Sequence, residues 1–358
     1  MRSFLGRIAV AGAMAGLGMS GWAAAPKQVL SKHGPAGVAV TMEAAGKRAD
    51  ITIDGAPFTS FLWGTAQKKP ILDPIIAADG IEVTRGYPLM PHTGERTDHP
   101  HHAGMWFNYG NVNGFDFWNN SEAIKPEDRH KMGTIGDVKV LSAKGGSDHG
   151  ELVYESTWTT GEGTAILKEH TRLVFSHKDG ERTIDRVTTL EALDRTVFHD
   201  DKEGVLGMRV ARWLESPNEK GGMFTDAEGR TTKVEGATGA GATGVYLTSE
   251  GKKGDDAWGT RGRWCTLTGT KDGKTVAIAM FDHTGNPGYP TYWHARGYGL
   301  FAANPLGRHI FDPKAAPLDY TLEKGQSATF KYRVSFFPHA VSMDEMNRAS
   351  TAFDGEYR

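Results

Sequence analysis

The chain has one cysteine, Cys265, so no intrachain disulfide can brace it and its stability must come from a packed core. It has no surplus of positive charge: 41 Lys and Arg stand against 43 Asp and Glu, a formal net charge of −2. Without excess cations to neutralise phosphates, no nucleic-acid partner is expected. Beyond residue 25 no uninterrupted apolar run reaches the ~20 residues that a spanning helix needs, so no stable membrane insertion is expected. No strand–helix–strand rhythm of ~30 residues is visible, and no repeat of ~20–50 residues. The glycine- and alanine-rich stretch at 236–244 reads as a flexible loop and not as a phosphate cradle.

What the chain has in excess is glycine: 46 of its 358 residues, nearly twice the usual share of about 7%. Such a share favours many turns over long helices. With 39% hydrophobic residues the chain can still bury a sizeable core.

The first 25 residues have the pattern of a secretory signal. Arg2 and Arg7 supply a positive start, 8–21 is an apolar small-residue stretch, and Ala23, Ala24 and Ala25 offer a cleavage site. A lipid anchor would need a cysteine near position 25, and there is none. A periplasmic or secreted protein is therefore expected, and loss of the two arginines would take the net charge from −2 to −4.

Most of the remainder reads as strands. Apolar and polar residues alternate for nine positions over 328–336, the period of a half-buried strand. A shorter alternating run at 318–322 precedes it across Glu-Lys-Gly-Gln-Ser, so the spacing predicts a hairpin. Similar runs fall at 37–42, 49–53, 152–158, 171–175, 275–281 and 298–302, separated by glycine-bearing turns. The expected fold is all-β, a large antiparallel β-sandwich of the supersandwich kind. It divides into a signal peptide over 1–25, one sandwich domain over 26–340 and a helical tail over 341–358. Ser342 and Glu345 make a capping box for that tail, with Val341 and Met346 spaced as a hydrophobic staple. Cys265, inside a strand-like run, reads as a buried structural residue.

Four of the fourteen histidines, His92, His99, His101 and His102, fall within eleven residues. Imidazole is both the commonest metal ligand and the side chain best suited to proton transfer near neutrality. Pro100 is expected to hold His99 extended, which would put His99 and His101 on one side and His102 on the other. Two same-side imidazoles beside Asp98 start a metal site without completing it. The next segment interleaves Trp106, Tyr109 and Trp118 with Asn113 and Asp116. Ring faces beside planar amide and carboxylate groups suit a sugar, although the same residues also make turns and core. Lys202 lies among carboxylates, and Arg209 sits in an apolar run where a guanidinium needs a partner. Asp282 and His283 end a strand, and His294, Arg296 and Tyr298 would share one face of an extended segment. Such a face offers an imidazole for proton transfer, a guanidinium for an oxyanion and a phenol for donation.

Several of these motifs occur in order: Asp98-His-Pro-His-His-x-Gly-x-Trp106, Asn113-Gly-x-Asp-Phe-Trp118, Asp201-Lys-Glu-Gly204 with Gly207-x-Arg209, Asp282-His283 with Asn286-Pro287, and Trp293-His-x-Arg-x-Tyr-Gly-Leu-x-Ala-x-Asn-Pro305. In these the chain resembles the exported bacterial PmoA-like family, labelled "methane oxygenase PmoA", over roughly 60–340. The label implies a metal-dependent oxygenase. The resemblance also implies a setting in carbohydrate-degrading bacteria.

Three functions compete. In an exported carbohydrate-active enzyme, His101 or His102 and His294 would move protons, with Asp282 or Asp116 orienting them. Trp106, Asn113, Asp116, Trp118, Lys202, Arg209, Arg296 and Tyr298 would bind the sugar or sugar acid, for hydrolysis, β-elimination or epimerisation. No carboxylate pair singles out a glycosidase. A metal-dependent oxygenase would bind copper or iron, and a metal-assisted sugar enzyme zinc or calcium, through His99, His101 and His283. A non-catalytic sugar-binding protein would need only the aromatic–amide segment. In every case the partner is a small molecule or oligosaccharide.

Overall fold

The computed structural model describes residues 36–218, 220–236 and 241–357. The expected signal peptide and part of the 236–244 loop lie outside the described residues.

Two eight-stranded antiparallel sheets form the frame. The first runs, edge to edge, through Val38–Glu43, Arg48–Ile53, Ala56–Leu62, Ile71–Ile75, Met105–Tyr109, Gly204–Arg209, Leu300–Asn304 and Tyr292–Arg296. The second runs through Val245–Thr248, Trp264–Lys271, Lys274–Asp282, Ser327–Phe337, Glu181–Ala192, Ala165–Lys178, His149–Thr160 and Gly133–Lys144. Rings from the two sheets interlock between them: Phe58 meets Phe175 and Phe336, and Phe107 meets Trp158 and Phe330. The protein is thus an antiparallel β-sandwich with a short C-terminal helix. Among the described residues no helix is long and apolar enough to cross a membrane.

The sheets differ in what covers their outer faces. His149–Thr160 alternates buried and half-exposed positions, the pattern of a strand with one wet face. Met105–Tyr109, Gly204–Arg209 and Leu300–Asn304 are buried on both faces. Their outer side is roofed by loops that contribute Ala103, Trp118 and Leu89 to a second apolar cluster with Trp106, Leu300 and Ala302. The candidate site is built in that roof.

The predicted hairpin does not form. Tyr320–Leu322 pairs with Thr196–Phe198, while Ser327–Phe337 pairs with Glu181–Ala192 and Lys274–Asp282 in the middle of the second sheet. The long apolar face of Ser327–Phe337 gains more by burial between two strands than beside one short neighbour. The turn between the runs bonds to Ala192 instead, through Gly325 N to Ala192 O at 2.8 Å and Ala192 N to Gln326 O at 2.9 Å. The run expected at 298–302 also starts later, at Leu300, because 297–299 is a turn.

The tail helix spans Met343–Glu356 with its capping box formed. Val341 and Met346 pack with Trp264, Phe281, Phe337 and Phe353 on the outer face of the second sheet. Arg333 clamps the helix end, donating twice to Asp185 at 2.7 Å and twice to Glu356 at 2.7 and 3.1 Å. Cys265 is buried, and burial pushes its thiol up, as suits a structural residue.

Between the sheets lies one buried ionic hub. The Glu169 carboxylate, fully enclosed, accepts from Tyr154 Oη and Trp158 Nε1 at 2.8 Å and from Thr171 Oγ1 and Arg186 at 2.7 Å. The sandwich relies on that charge to balance Arg186. We therefore expect Glu169→Gln to cost about 3–5 kcal/mol of stability by stranding a buried guanidinium. Urea unfolding would show it, and an unchanged midpoint would contradict the assignment.

Candidate functional site

Register sets the positions of the site residues. Ile71, Trp106, Gly207, Ala302 and His294 lie side by side across five neighbouring strands of the first sheet. Arg209, Leu300 and Arg296 form a further row two residues along. Successive residues of a strand point to opposite faces, so both rows share the outer face. Small residues occupy the middle of the first row for a reason. A Cβ on Gly207 would come within 2.7 Å of the Trp106 and Trp118 rings.

The 96–104 loop is held down on this face by Arg85, which is 1% exposed. Its guanidinium donates to the carbonyls of Arg96 at 3.1 Å and of Asp98, His99 and His102 at 2.9 Å, and to Asp98 Oδ1 at 2.8 Å. A loop gathered around one cation cannot be extended. His99 accordingly has φ +44, and His102 N donates to His99 O at 2.9 Å. This overturns the expected arrangement in which His99 and His101 share a side.

Instead four rings stack in a column. Tyr298 lies on His99 (centroids 5.2 Å apart, 3° between planes), His99 on His102 (4.9 Å, 5°) and His102 on Trp106 (5.1 Å, 16°). The buried Lys69 ammonium sits 5.4 Å from the Trp106 centroid and donates to His101 O at 2.8 Å. Burial brings that lysine down to about 7. The two distant histidine motifs therefore meet, and they meet through His99 and Tyr298.

The structure sorts the expected site residues. His102 is enclosed, with Trp118 Nε1 donating to its Nε2 at 3.1 Å and the Arg209 guanidinium 3.4 Å from its Nδ1. Burial holds it well below the usual imidazole range, so it is a neutral spacer and not the proton carrier expected of it. His101 packs edge-on against both neighbours and is pushed down to about 2 by burial and by Lys69. It lines a separate small recess with Leu89 and Pro100, away from the cleft, which removes it from the catalytic set. Trp106 and Trp118 are wholly buried, so they support the histidines and offer no face to a sugar. Asn113 clips Val197 N and Arg195 O at 2.7 and 3.0 Å, and Asp116 accepts three bonds within its own turn. Both shape loops and do not contact the cleft. Asp282 accepts from Asn286 Nδ2 at 2.7 Å and Thr291 N at 2.8 Å, bracing the 283–291 turn from the second sheet. Burial brings its carboxyl up to about 7. His283 packs against Phe353 of the tail helix, far from any catalytic use with His99.

The metal expectation fails on the same geometry. Among the described residues no three His, Cys, Asp or Glu side chains are grouped so as to hold a metal ion. His99, His101 and His283 do not assemble, and copper, iron, zinc or calcium finds no ligand set there.

Arg209 is buried beneath the site, donating to Asp98 Oδ1 at 2.6 Å with its guanidinium 4.9 Å from the Tyr298 centroid. It is a strut and not an open anion site. Burial opposes ionisation of Asp98, but His99, Arg209 and Arg85 outweigh it and hold the carboxyl well below the usual carboxylate range.

A cleft of about 570 Å³ opens above this floor, lined by Asp98, Tyr298, Arg296, Trp258, Asn218 and Ser216 among others. The His99 side chain is 41% exposed and has Nδ1 3.2 Å from Asp98 Oδ2. Glu203 has one oxygen on Lys202 at 2.6 Å, and neither residue lines the cleft. Its other oxygen has no hydrogen-bond partner and lies 3.7 Å from His294 Nδ1, likewise unpartnered. Burial raises the Glu203 carboxyl, while Lys202 and the charge of His99 pull it back. His294, 2% exposed, is pushed down to about 3 by burial and by Arg296, so it backs Glu203 without taking a proton itself near neutrality. Tyr298 is pushed up to about 12 by burial.

Sequence reasoning missed Arg85, Lys69, Glu203 and Trp258. Lys69, beside Lys68 and Gln67, gave no local sign, and Arg85 follows the mixed run Ile81-Glu-Val-Thr. Glu203 lay inside a recognised motif, whereas Trp258 gave no local sign.

Fold and site together define a large antiparallel β-sandwich protein with an arginine-braced, ring-stacked cleft on the outer face of one sheet. The chain belongs to the DUF6807 family, a family of unknown function, whose sequence pattern matches residues 48–351. No curated protein matches it. Solved structures similar to it include a galactose 1-epimerase from Lactobacillus acidophilus NCFM (12% identity, TM-score 0.38, covering 82% of this chain and 95% of that one). A putative aldose 1-epimerase from Escherichia coli K12 is similar at 11% identity and TM-score 0.33, covering 84% of this chain and 99% of that one. The GH36 alpha-galactosidase AgaA from Geobacillus stearothermophilus is similar at 10% identity and TM-score 0.36, covering 82% of this chain but 40% of its own length.

Gly207→Ala tests the ring-supported floor. The added methyl must displace Trp106 or Trp118, so a loss of about 1–3 kcal/mol is expected, with a changed near-ultraviolet tryptophan signal. A spectrum and melting curve identical to wild type would contradict the packing account.

Proposed function

We propose that the protein is an exported enzyme that transfers protons on a sugar or sugar acid, with Glu203 and His99 as the acid–base pair. One observation carries this reading. Beside the Asp98 and Tyr298 wall of the cleft an exposed imidazole, oriented by Asp98, acts electrostatically on Glu203, a carboxylate with one enclosed, unpartnered oxygen and a raised affinity for its proton. A pair with one ring nitrogen fixed and one carboxylate oxygen free can remove a proton and return another. The half-exposed Trp258 ring and the polar groups of Asp98, Ser216 and Asn218 suit the apolar faces and hydroxyls of a sugar. The leader-like first 25 residues support export.

In this mechanism substrate entry uncovers Glu203 Oε2, which takes a proton from the substrate, and His99 supplies one in return, while Tyr298 keeps the imidazole plane fixed by stacking. Epimerisation and β-elimination need such a pair and nothing more from the protein. Hydrolysis would add a water activated by Glu203.

The test is proton NMR in deuterium oxide on a panel of sugars and sugar acids, reading solvent-deuterium incorporation or product. Glu203→Gln and His99→Gln are each expected to lower kcat by about 10²–10⁴-fold. Full turnover in Glu203→Gln would remove the assignment. If Glu203 acts as the base, kcat/KM falls as pH drops through its raised pKa, so the acidic limb lies above 4.5, the ordinary value for a glutamate. A limb at or below that value would contradict the role.

A further inference from the structure

Arg296 differs from every other arginine at the cleft. Arg96 donates to Glu215 at 3.0 Å and to Asn218 at 3.3 Å, Arg212 also pairs with Glu215, and Arg85 and Arg209 share Asp98. Four guanidiniums thus divide two carboxylates, and the floor of the cleft is left electropositive. The neighbouring Glu95 does little to offset this in the cleft, since its oxygens accept from the backbone N–H groups of Gly86, Tyr87 and His92. Asp255 is a further carboxylate on the cleft wall.

Arg296 ends the outermost strand of the first sheet and is exposed. Its guanidinium lies 5.7 Å from the Trp258 centroid and 5.9 Å from that of Tyr298. Among the described residues no carboxylate lies within ion-pair distance of it. Contact with two ring faces limits the rotamers it samples while leaving its N–H edge for a ligand. A planar fork with no partner, above an electropositive floor, fits a planar carboxylate in two parallel hydrogen bonds.

We infer that the substrate carries a carboxylate and that Arg296 holds it. Of the two substrate classes left open above, the cleft takes the sugar acid. A single free guanidinium facing the Asp255 wall matches a monoanion better than a dianionic phosphate ester, and its planar fork matches a planar carboxylate better than a tetrahedral sulfate ester. The inference rests on the reading of this cleft as the substrate site.

The experiment is calorimetric titration of the full chain, with Trp258 fluorescence alongside. The probes are galacturonate and glucuronate oligosaccharides, their carboxyl-reduced counterparts and sulfated neutral oligosaccharides. Wild type is expected to bind at least one acid tenfold or more tighter than its reduced form, in a salt-sensitive manner, and tighter than the sulfated probes. Arg296→Gln should shrink the acid-to-neutral ratio below twofold, and Arg296→Lys should leave it intermediate. No binding of either acid, a wild-type ratio below twofold, a preference for sulfate, or a ratio preserved in Arg296→Gln would each overturn the inference. His99→Gln and Glu203→Gln separate the two claims. They should keep the ratio while losing turnover, so turnover kept with the ratio intact removes only the acid–base pair. A lost ratio in Arg296→Gln beside normal His99 and Glu203 dependence upholds both.

Discussion

The site depends on one carboxylate being ionised between two buried guanidiniums. Asp98 Oδ1 receives Arg85 at 2.8 Å and Arg209 at 2.6 Å, and Asp98 Oδ2 faces His99 at 3.2 Å. Neither arginine could stay buried without it, because an uncompensated guanidinium costs several kcal/mol in such surroundings. With Asp98 in place, Arg85 has N–H groups to spare for four carbonyls, and those bonds fold the 96–104 loop into a turn. Stacking of the imidazoles follows from that fold. The chain of cause runs from an ion pair to a loop shape, and from the loop shape to the placement of the exposed His99 imidazole.

The sheet beneath contributes by what it leaves out. Gly207 and Ala302 lie between Trp106 and His294 in the same row, and the lack of bulk at Gly207 leaves room for both indoles, which meet edge to face. The tryptophans then fill the volume that would otherwise admit water under His102. A dry, ring-lined floor is what keeps His102 and His294 uncharged.

The period-two alternation was enough to place eight of the twenty strands among the described residues and the class of fold, because one buried face forces that pattern. Pairing was less legible. The runs at 318–322 and 328–336 looked like neighbours, yet the longer one satisfies itself in the centre of a sheet. The histidine clusters and the 293–305 segment were rightly singled out as regions that meet. Individual roles were not, because they hinge on Arg85, whose five bonds depend on a tertiary position that no local pattern announces. Residue type alone also could not separate Trp106 and Trp118, which are core, from Trp258, which is partly exposed in the cleft. Asp282 and His283 looked reactive for the same reason that buried polar residues often do: they satisfy a turn.

The short hairpin Gly222–Thr225 with Thr231–Val234 belongs to neither large sheet, yet it borders the cleft, with Phe224 packed on the Arg96 guanidinium. Apart from the buried Phe224 and Thr225, its sequence is therefore free of the register and burial demands that fix the frame. Within a lineage such a wall can lengthen, shorten or change its side chains while the two sheets and the Asp98 ion pairs are inherited intact. Divergence in what the members of this family accept should accumulate there first, and exchanging the hairpin between relatives is the natural graft for moving one member's preference onto another.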